Sequence, residues 1–228
     1  MSGIAVKICG LTDAAAVEAA VAGGARWLGF VFYPPSPRHL TPDSFRALRG
    51  RVPAGPATVG VFVDPADEEI ARVLDAAPLD LLQLHGREPP ARVRALRARF
   101  GLPVIKALQV ATAEDLAAAH AYRGAADLLL FDARPPRGAR LPGGNAVAFD
   151  WRILAGFDPG LPWLLAGGLH AGNLARAVRV SGARRVDVSS GVERAPGIKD
   201  PERIRALLAL ARGLDPDHMP RGSTEAGP

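Results

Sequence analysis

Short apolar runs alternate with longer segments of helical period along almost the whole chain. The run IAVKIC is followed by a helix over about residues 13–22, which Gly23-Gly24 ends. WLGFVF comes next, then the proline-rich loop YPPSPRHLTP and a helix running through Ala47. ATVGVFV leads into a helix over about 65–76, LDLLQLH precedes the amphipathic segment ARVRALRARF, and PVIKALQV precedes a helix over about 112–120. ADLLLFD opens a long Gly/Pro loop with a short helix at FDWRILAG. PWLLAGG precedes a helix at GNLARAVRV, and RRVDVSS leads through a loop to a last helix, DPERIRALLALAR.

That makes about eight strand–helix units. Their strands are short and apolar on both faces, the pattern of parallel strands covered on both sides. At this length the natural closure is a (β/α)8 TIM barrel, a single α/β domain over residues 1–212. A doubly wound open sheet is the structural alternative, but eight regular units are many for it, and no G-x-G-x-x-G follows the first strand. Residues 213–228 lack apolar periodicity and read as a disordered tail.

Composition narrows the classes. Hydrophobic residues make up 48% of the 228, ample for a core. The opening MSGIAVKICG has no basic stretch followed by a long apolar one, so no secretory leader is expected. No apolar run approaches the ~20 residues of a membrane helix. The single cysteine, Cys9, excludes an internal disulfide and a four-cysteine zinc site. A cytoplasmic protein is expected, without nucleic-acid or membrane partners, as a monomer or homodimer. The net charge of +5 permits an anionic ligand. Arginines are scattered, the densest patch suits a solvated helix face, and aromatics are too few for a base-stacking surface. Only three of the 28 basic residues are lysines, Lys7, Lys106 and Lys199, which marks each of them.

In a parallel barrel the chemistry gathers at the carboxyl ends of strands. Cys9, His85, Asp132 and the Ser189-Ser190 pair all fall there. A lone thiol is more often a small buried hydrophobe than a working group. Strand alternation, however, puts Lys7 on its side of the first strand, and a nearby cation favours the thiolate. Lys7 has an alternative partner in Asp187. Asp132, at the end of LLLF, is either a cap for the next loop or a general acid kept protonated by apolar surroundings. LAGGLH and DVSSGVE are small-residue turns after the seventh and eighth strands, where this fold often holds phosphate.

Here KICGLT, GFVFYPPSPRHL, VGVFVD, LQLHG, VIKAL, LLLFDA, GGN with FDW, LAGGLHAGN and DVSSGVERAPGIKD resemble, in order, the motifs of the phosphoribosylanthranilate isomerase family. The resemblance implies an Amadori rearrangement of N-(5-phospho-β-D-ribosyl)anthranilate in tryptophan biosynthesis, with a small phosphorylated substrate and no cofactor or metal. It makes Cys9 the general base and Asp132 the general acid. It places Arg38 at the anthranilate carboxylate, through two parallel hydrogen bonds, and Gly167, Gly168, Ser190 and Gly191 at the phosphate. His85 is expected to line the pocket, with its role left open. The chain departs from the family pattern at Asn145-Ala146, where Thr-Gly is usual, so contacts of that loop are not carried over. Rival readings are another phosphosugar barrel isomerase or epimerase, and an inactive barrel serving as a scaffold. Cys9 in place of a first-strand aspartate disfavours the histidine-pathway isomerase. His85 and Asp132 alone do not make an epimerase metal site, and an intact Cys9 and Asp132 disfavour a scaffold.

Overall fold

The apolar runs become eight parallel strands closed into one barrel, in a computed structural model that describes residues 3–135, 138, 141, 143, 144 and 148–215. In chain order these are β1 (Ala5–Cys9), α1 (Ala14–Ala22), β2 (Trp27–Val31), α2 (Pro42–Arg49), β3 (Ala57–Phe62), α3 (Asp67–Ala76), β4 (Leu81–Leu84), α4 (Pro90–Phe100) and β5 (Val104–Val110). A 3-10 helix (Ala113–Tyr122) leads to β6 (Leu128–Ala133), and a second (Trp151–Leu154) to β7 (Trp163–Leu165). Then come α5 (Leu174–Ser181), β8 (Arg185–Val188), a 3-10 turn (Ser190–Val192), the hairpin β9 (Glu193–Ala195) and β10 (Ile198–Lys199), and α6 (Pro201–Gly213).

Alternation along each strand divides two cores. Trp27, Val59, Ile105, Leu130 and Leu164 fill the barrel, and a larger set lies between strands and helices. Each fully buried Leu or Val in these layers is worth about 1.5–3 kcal/mol relative to exposure. Helix starts are written locally. Asp13 Oδ1 accepts from the Ala16 amide at 2.9 Å, and Asp200 Oδ1 accepts from those of Glu202 and Arg203. The ring is fastened by α1 packing on α6 and by the Ile4 amide donating to Ala211 O.

Some elements differ from the sequence reading. The third helix begins at Asp67, not Pro65, with the acidic run Asp67–Glu69 in its first turn. The segment after β5 is a 3-10 helix and extends to Tyr122. It is pinned at both ends: Asp115 Oδ2 accepts from the Ala111 and Thr112 amides, and the Tyr122 hydroxyl donates to Glu88 O. The longer rise of a 3-10 winding, about 2.0 Å per residue against about 1.5 Å, suits a segment stretched between two anchors. The hairpin was not anticipated. Asn145, Ala146 and the expected tail from residue 216 lie outside the described residues. Among the described residues no helix is long and apolar enough to cross a membrane.

Candidate active site

The carboxyl ends of the strands surround one cavity, and Cys9, Arg38, His85, Asp132, Gly168 and Ser190 line it. Cys9 is the last residue of β1 and points inward by alternation with Lys7. The β1–β8 register sets Lys7 beside Asp187, and Lys7 Nζ donates to Asp187 Oδ1 at 2.9 Å. Gly29, paired with Cys9 on β2, makes room for both. A Cβ there would stand 2.9 Å from Lys7 Nζ and 3.1 Å from Cys9 Sγ. The ammonium and the thiol therefore share one small recess.

Opposite them, His85 follows β4 and Asp132 sits one residue before the end of β6. His85 Nε2 is 3.2 Å from Asp132 Oδ2, and His85 Nδ1 is 3.0 Å from Gln83 Nε2. The other carboxylate oxygen, Oδ1, accepts from the Ala133 amide at 2.9 Å. Gly143 lies directly over this pair, since a Cβ on it would come within 2.7 Å of Asp132 Oδ2 and 2.8 Å of His85 Nε2.

Arg38 comes from the loop after β2, yet it is only 5% exposed, so it is not a solvated loop charge. Its Nε and Nη2 donate to the two oxygens of Glu193 at 2.7 and 2.9 Å. Glu193 Oε1 also accepts from Lys199 Nζ at 2.7 Å, and Lys199 reaches back to Ser189 O at 2.9 Å. The β9–β10 hairpin makes this possible: its turn at Gly197 brings Lys199 back beside Glu193 and receives the Thr12 hydroxyl on Gly197 O. After β7, Gly167 and Gly168 both take left-handed angles (φ 88° and 61°), and Asn173 Nδ2 donates to Gly168 O.

A sequence model of N-(5'-phosphoribosyl)anthranilate isomerase matches residues 6–209. The isomerase of Paramagnetospirillum magneticum is 57% identical over 213 residues, covering 93% of this chain and 99% of that protein. The chain belongs to the N-(5'-phosphoribosyl)anthranilate isomerase family. It is also similar to a solved phosphoribosyl anthranilate isomerase in complex with reduced 1-(o-carboxyphenylamino)-1-deoxyribulose 5-phosphate, with 35% identity, a TM-score of 0.80, and 92% of this chain and all of that one covered. Monomers generated from the dimeric Thermotoga maritima isomerase align with 34% identity and a TM-score of 0.79 over the same shares.

Set in this isomerase family, the structure gathers most of the residues singled out in the sequence. Cys9, Arg38, His85, Asp132, Gly167, Gly168 and Ser190 all face the cavity. Gly191 does not line it: its Cα packs against Leu169 O so closely that no Cβ fits, so its first role is to let the loops after β7 and β8 meet.

Two expectations need correction. The parallel pair of hydrogen bonds from Arg38 is made to Glu193, and Nη2 also donates to Gly144 O at 3.5 Å, so Nη1 is the nitrogen left for a ligand. Nor does Lys7 leave Cys9 as a ready thiolate. Burial and the Asp187 carboxylate push the thiol above its ordinary value, outweighing the pull of Lys7 and Lys199. Lys7 itself is pushed down by burial and up by Asp187 and Cys9, and the net direction is up. Its two alternative roles are thus one arrangement: it pairs with Asp187 and stands beside the thiol. Burial likewise pushes Glu193 up, but Arg38 and Lys199 hold it below the usual carboxylate range.

Gly29, Gln83 and Glu193 were not singled out. A glycine inside the apolar run WLGFVF is a signal for close approach, and P-G between two short runs is a signal for the hairpin that carries Glu193. Nothing in the sequence marks Gln83 except its alternation with His85. Among the described residues no group of three or more His, Cys, Asp and Glu side chains gathers as metal ligands.

Proposed function

We propose that the protein converts N-(5-phospho-β-D-ribosyl)anthranilate to 1-(2-carboxyphenylamino)-1-deoxyribulose 5-phosphate, with Asp132 as general acid and Cys9 as general base. What carries this reading is one cavity faced by both groups, with the glycine turn after β7 and the Ser189-Ser190 pair after β8 on its rim. Asp132 gives a proton to the ring oxygen as the C1′–O bond breaks, and the anthranilate nitrogen supplies the electron pair that makes the iminium. Cys9, as thiolate, removes the C2′ proton, and the electron pair neutralises the iminium to give an enol-amine that tautomerises to the ketone. The iminium is the electron sink, so two proton-transfer groups and a firm hold are enough without a cofactor.

The hold is two-ended. Backbone amides near Gly168 and Ser190 take the phosphate, and Arg38 Nη1 takes the anthranilate carboxylate, a charge-assisted contact. Glu193 and Lys199 keep that guanidinium in place. Such an enzyme works in the cytoplasm as a monomer, or as a homodimer like the dimeric relative.

Turnover of the anthranilate substrate by the purified protein is the test. Activity is expected, and Cys9→Ala should abolish it while product binding by calorimetry stays nearly unchanged. A wild type that binds the product but turns nothing over would leave only a scaffold.

A further inference from the structure

Gln83 is fully buried on β4, facing into the barrel between Val61 of β3 and Ile105 of β5. Its Nε2 lies 3.0 Å from His85 Nδ1, while its Oε1 is buried with no partner among the described residues. That orphaned oxygen fixes the amide's direction. The reversed amide would pair the oxygen with Nδ1 and leave both N–H groups without acceptors, and buried orphan N–H groups are rarer than orphan carbonyls. With an N–H pointing at it, Nδ1 must be the bare nitrogen of a neutral imidazole. The proton then sits on Nε2, which faces Asp132 Oδ2 at 3.2 Å.

Resting on the isomerase reading, we infer that Gln83 is a positioning residue that holds His85 in the Nε2–H tautomer, so that the imidazole stabilises the carboxylate left when Asp132 protonates the substrate. In the opposite tautomer a bare Nε2 would accept the Asp132 proton and withhold it from the ring oxygen. With Nε2–H in place, Oδ2 is occupied as an acceptor and the acid's proton is left for the substrate. The negative charge that forms meets a donor already aligned, at no reorganisation cost. A neighbouring donor that fixes a histidine's tautomer is a general device at proton-transfer sites.

The test has two independent readouts. Nitrogen-15 NMR of the histidine-labelled wild type, with His85 assigned by comparison with His85→Asn, should show the Nε2–H tautomer. The Nδ1–H tautomer in the resting protein overturns the inference whether or not any variant folds. Gln83→Met keeps length and apolar volume but cannot donate. It should shift His85 towards Nδ1–H and lower kcat about tenfold or more, with KM and product affinity within about twofold. Gln83→Met with an unchanged His85 spectrum, or with wild-type kcat, reduces Gln83 to barrel filling and overturns the inference. A wild type with the Nε2–H tautomer and no turnover would remove the isomerase reading and leave the tautomer assignment standing.

Discussion

Around Cys9 the mouth of the barrel is built from buried charges, and around Asp132 from neutral polar groups. The first side holds Lys7 with Asp187, and Arg38 with Glu193 and Lys199. The second holds Gln83, His85 and the closely laid backbone of Gly143. Burying an ion pair costs desolvation that mutual attraction repays only with good geometry, so removing one partner is punished. A neutral chain stores less energy and decides instead which atom carries a proton. The thiol's proton affinity is therefore set by a balance of charges. The delivery of a proton from Asp132, the proposed acid, is set by hydrogen-bond direction.

After the loss of turnover expected for Cys9→Ala, the largest expected effect lies on the neutral side and should show in rate, hardly in stability. Asp132→Asn keeps the shape and the Ala133 contact but has no proton to give. It should lower kcat by about 10²–10⁴ with little change in melting temperature. An Asn variant running near the native rate would return Asp132 to the role of loop cap.

On the charged side, Lys7→Met should cost about 3–5 kcal/mol of folding stability by leaving Asp187 buried and unpaired, read by denaturant unfolding. Double replacement of Lys7 and Asp187 by apolar residues should recover part of that loss. The pair's pH dependence has a definite sign. Lys7 is raised on folding, so its contribution is fully present below its unfolded value near 10.5 and is lost as pH climbs through the higher folded value. A Lys7→Met variant as stable as wild type would mean that the pair adds nothing and that the two sides of the mouth do not differ as described.

The contrast between the two sides also separates what the sequence makes legible from what it does not. Short apolar runs ending in Cys9, His85 and Asp132 place those residues at one mouth once a barrel is assumed, and the barrel follows from the repeat. All three rare lysines are buried and bound to carboxylates or carbonyls, as their survival in an arginine-rich chain hinted. The partners are another matter. Arg38 and Glu193 are 155 residues apart and meet only because the ring closes and the hairpin turns Glu193 inward. No local pattern announces that a loop arginine is tied before any ligand arrives. The direction of the Gln83 amide follows from one ring nitrogen of His85 and one unfilled acceptor, and alternation alone does not show it.

The third effect tests that tie. Arg38→Met should weaken product binding by about 1.5–3 kcal/mol, the worth of a charged hydrogen-bonding partner, while inorganic phosphate binds as before. Glu193→Gln should weaken product less, because it loosens the guanidinium without deleting it. Calorimetry with both ligands on both variants separates the cases. Equal loss for phosphate and product in Arg38→Met would break the two-ended hold.

The smallest effect needs no mutation. Cys9 is the only cysteine in the chain, so alkylation reads one thiol. An ordinary thiol, near 8.5 in model peptides, gains thiolate about tenfold per pH unit and levels off above that value. Here burial and Asp187 lift Cys9 above its ordinary value against the pull of Lys7 and Lys199. The rate with iodoacetamide should therefore keep rising past pH 9, where an unperturbed thiol would have flattened. In the proposed reaction the substrate's iminium, formed beside the thiol, would supply the missing positive charge and lower the cost of the thiolate at the step that uses it. A high resting value is then compatible with a working base, and it makes the thiolate that does form more basic. Alkylation that flattens below pH 9 would show that the cations win this balance, and the two sides of the mouth would differ in their partners but not in how they hold their protons.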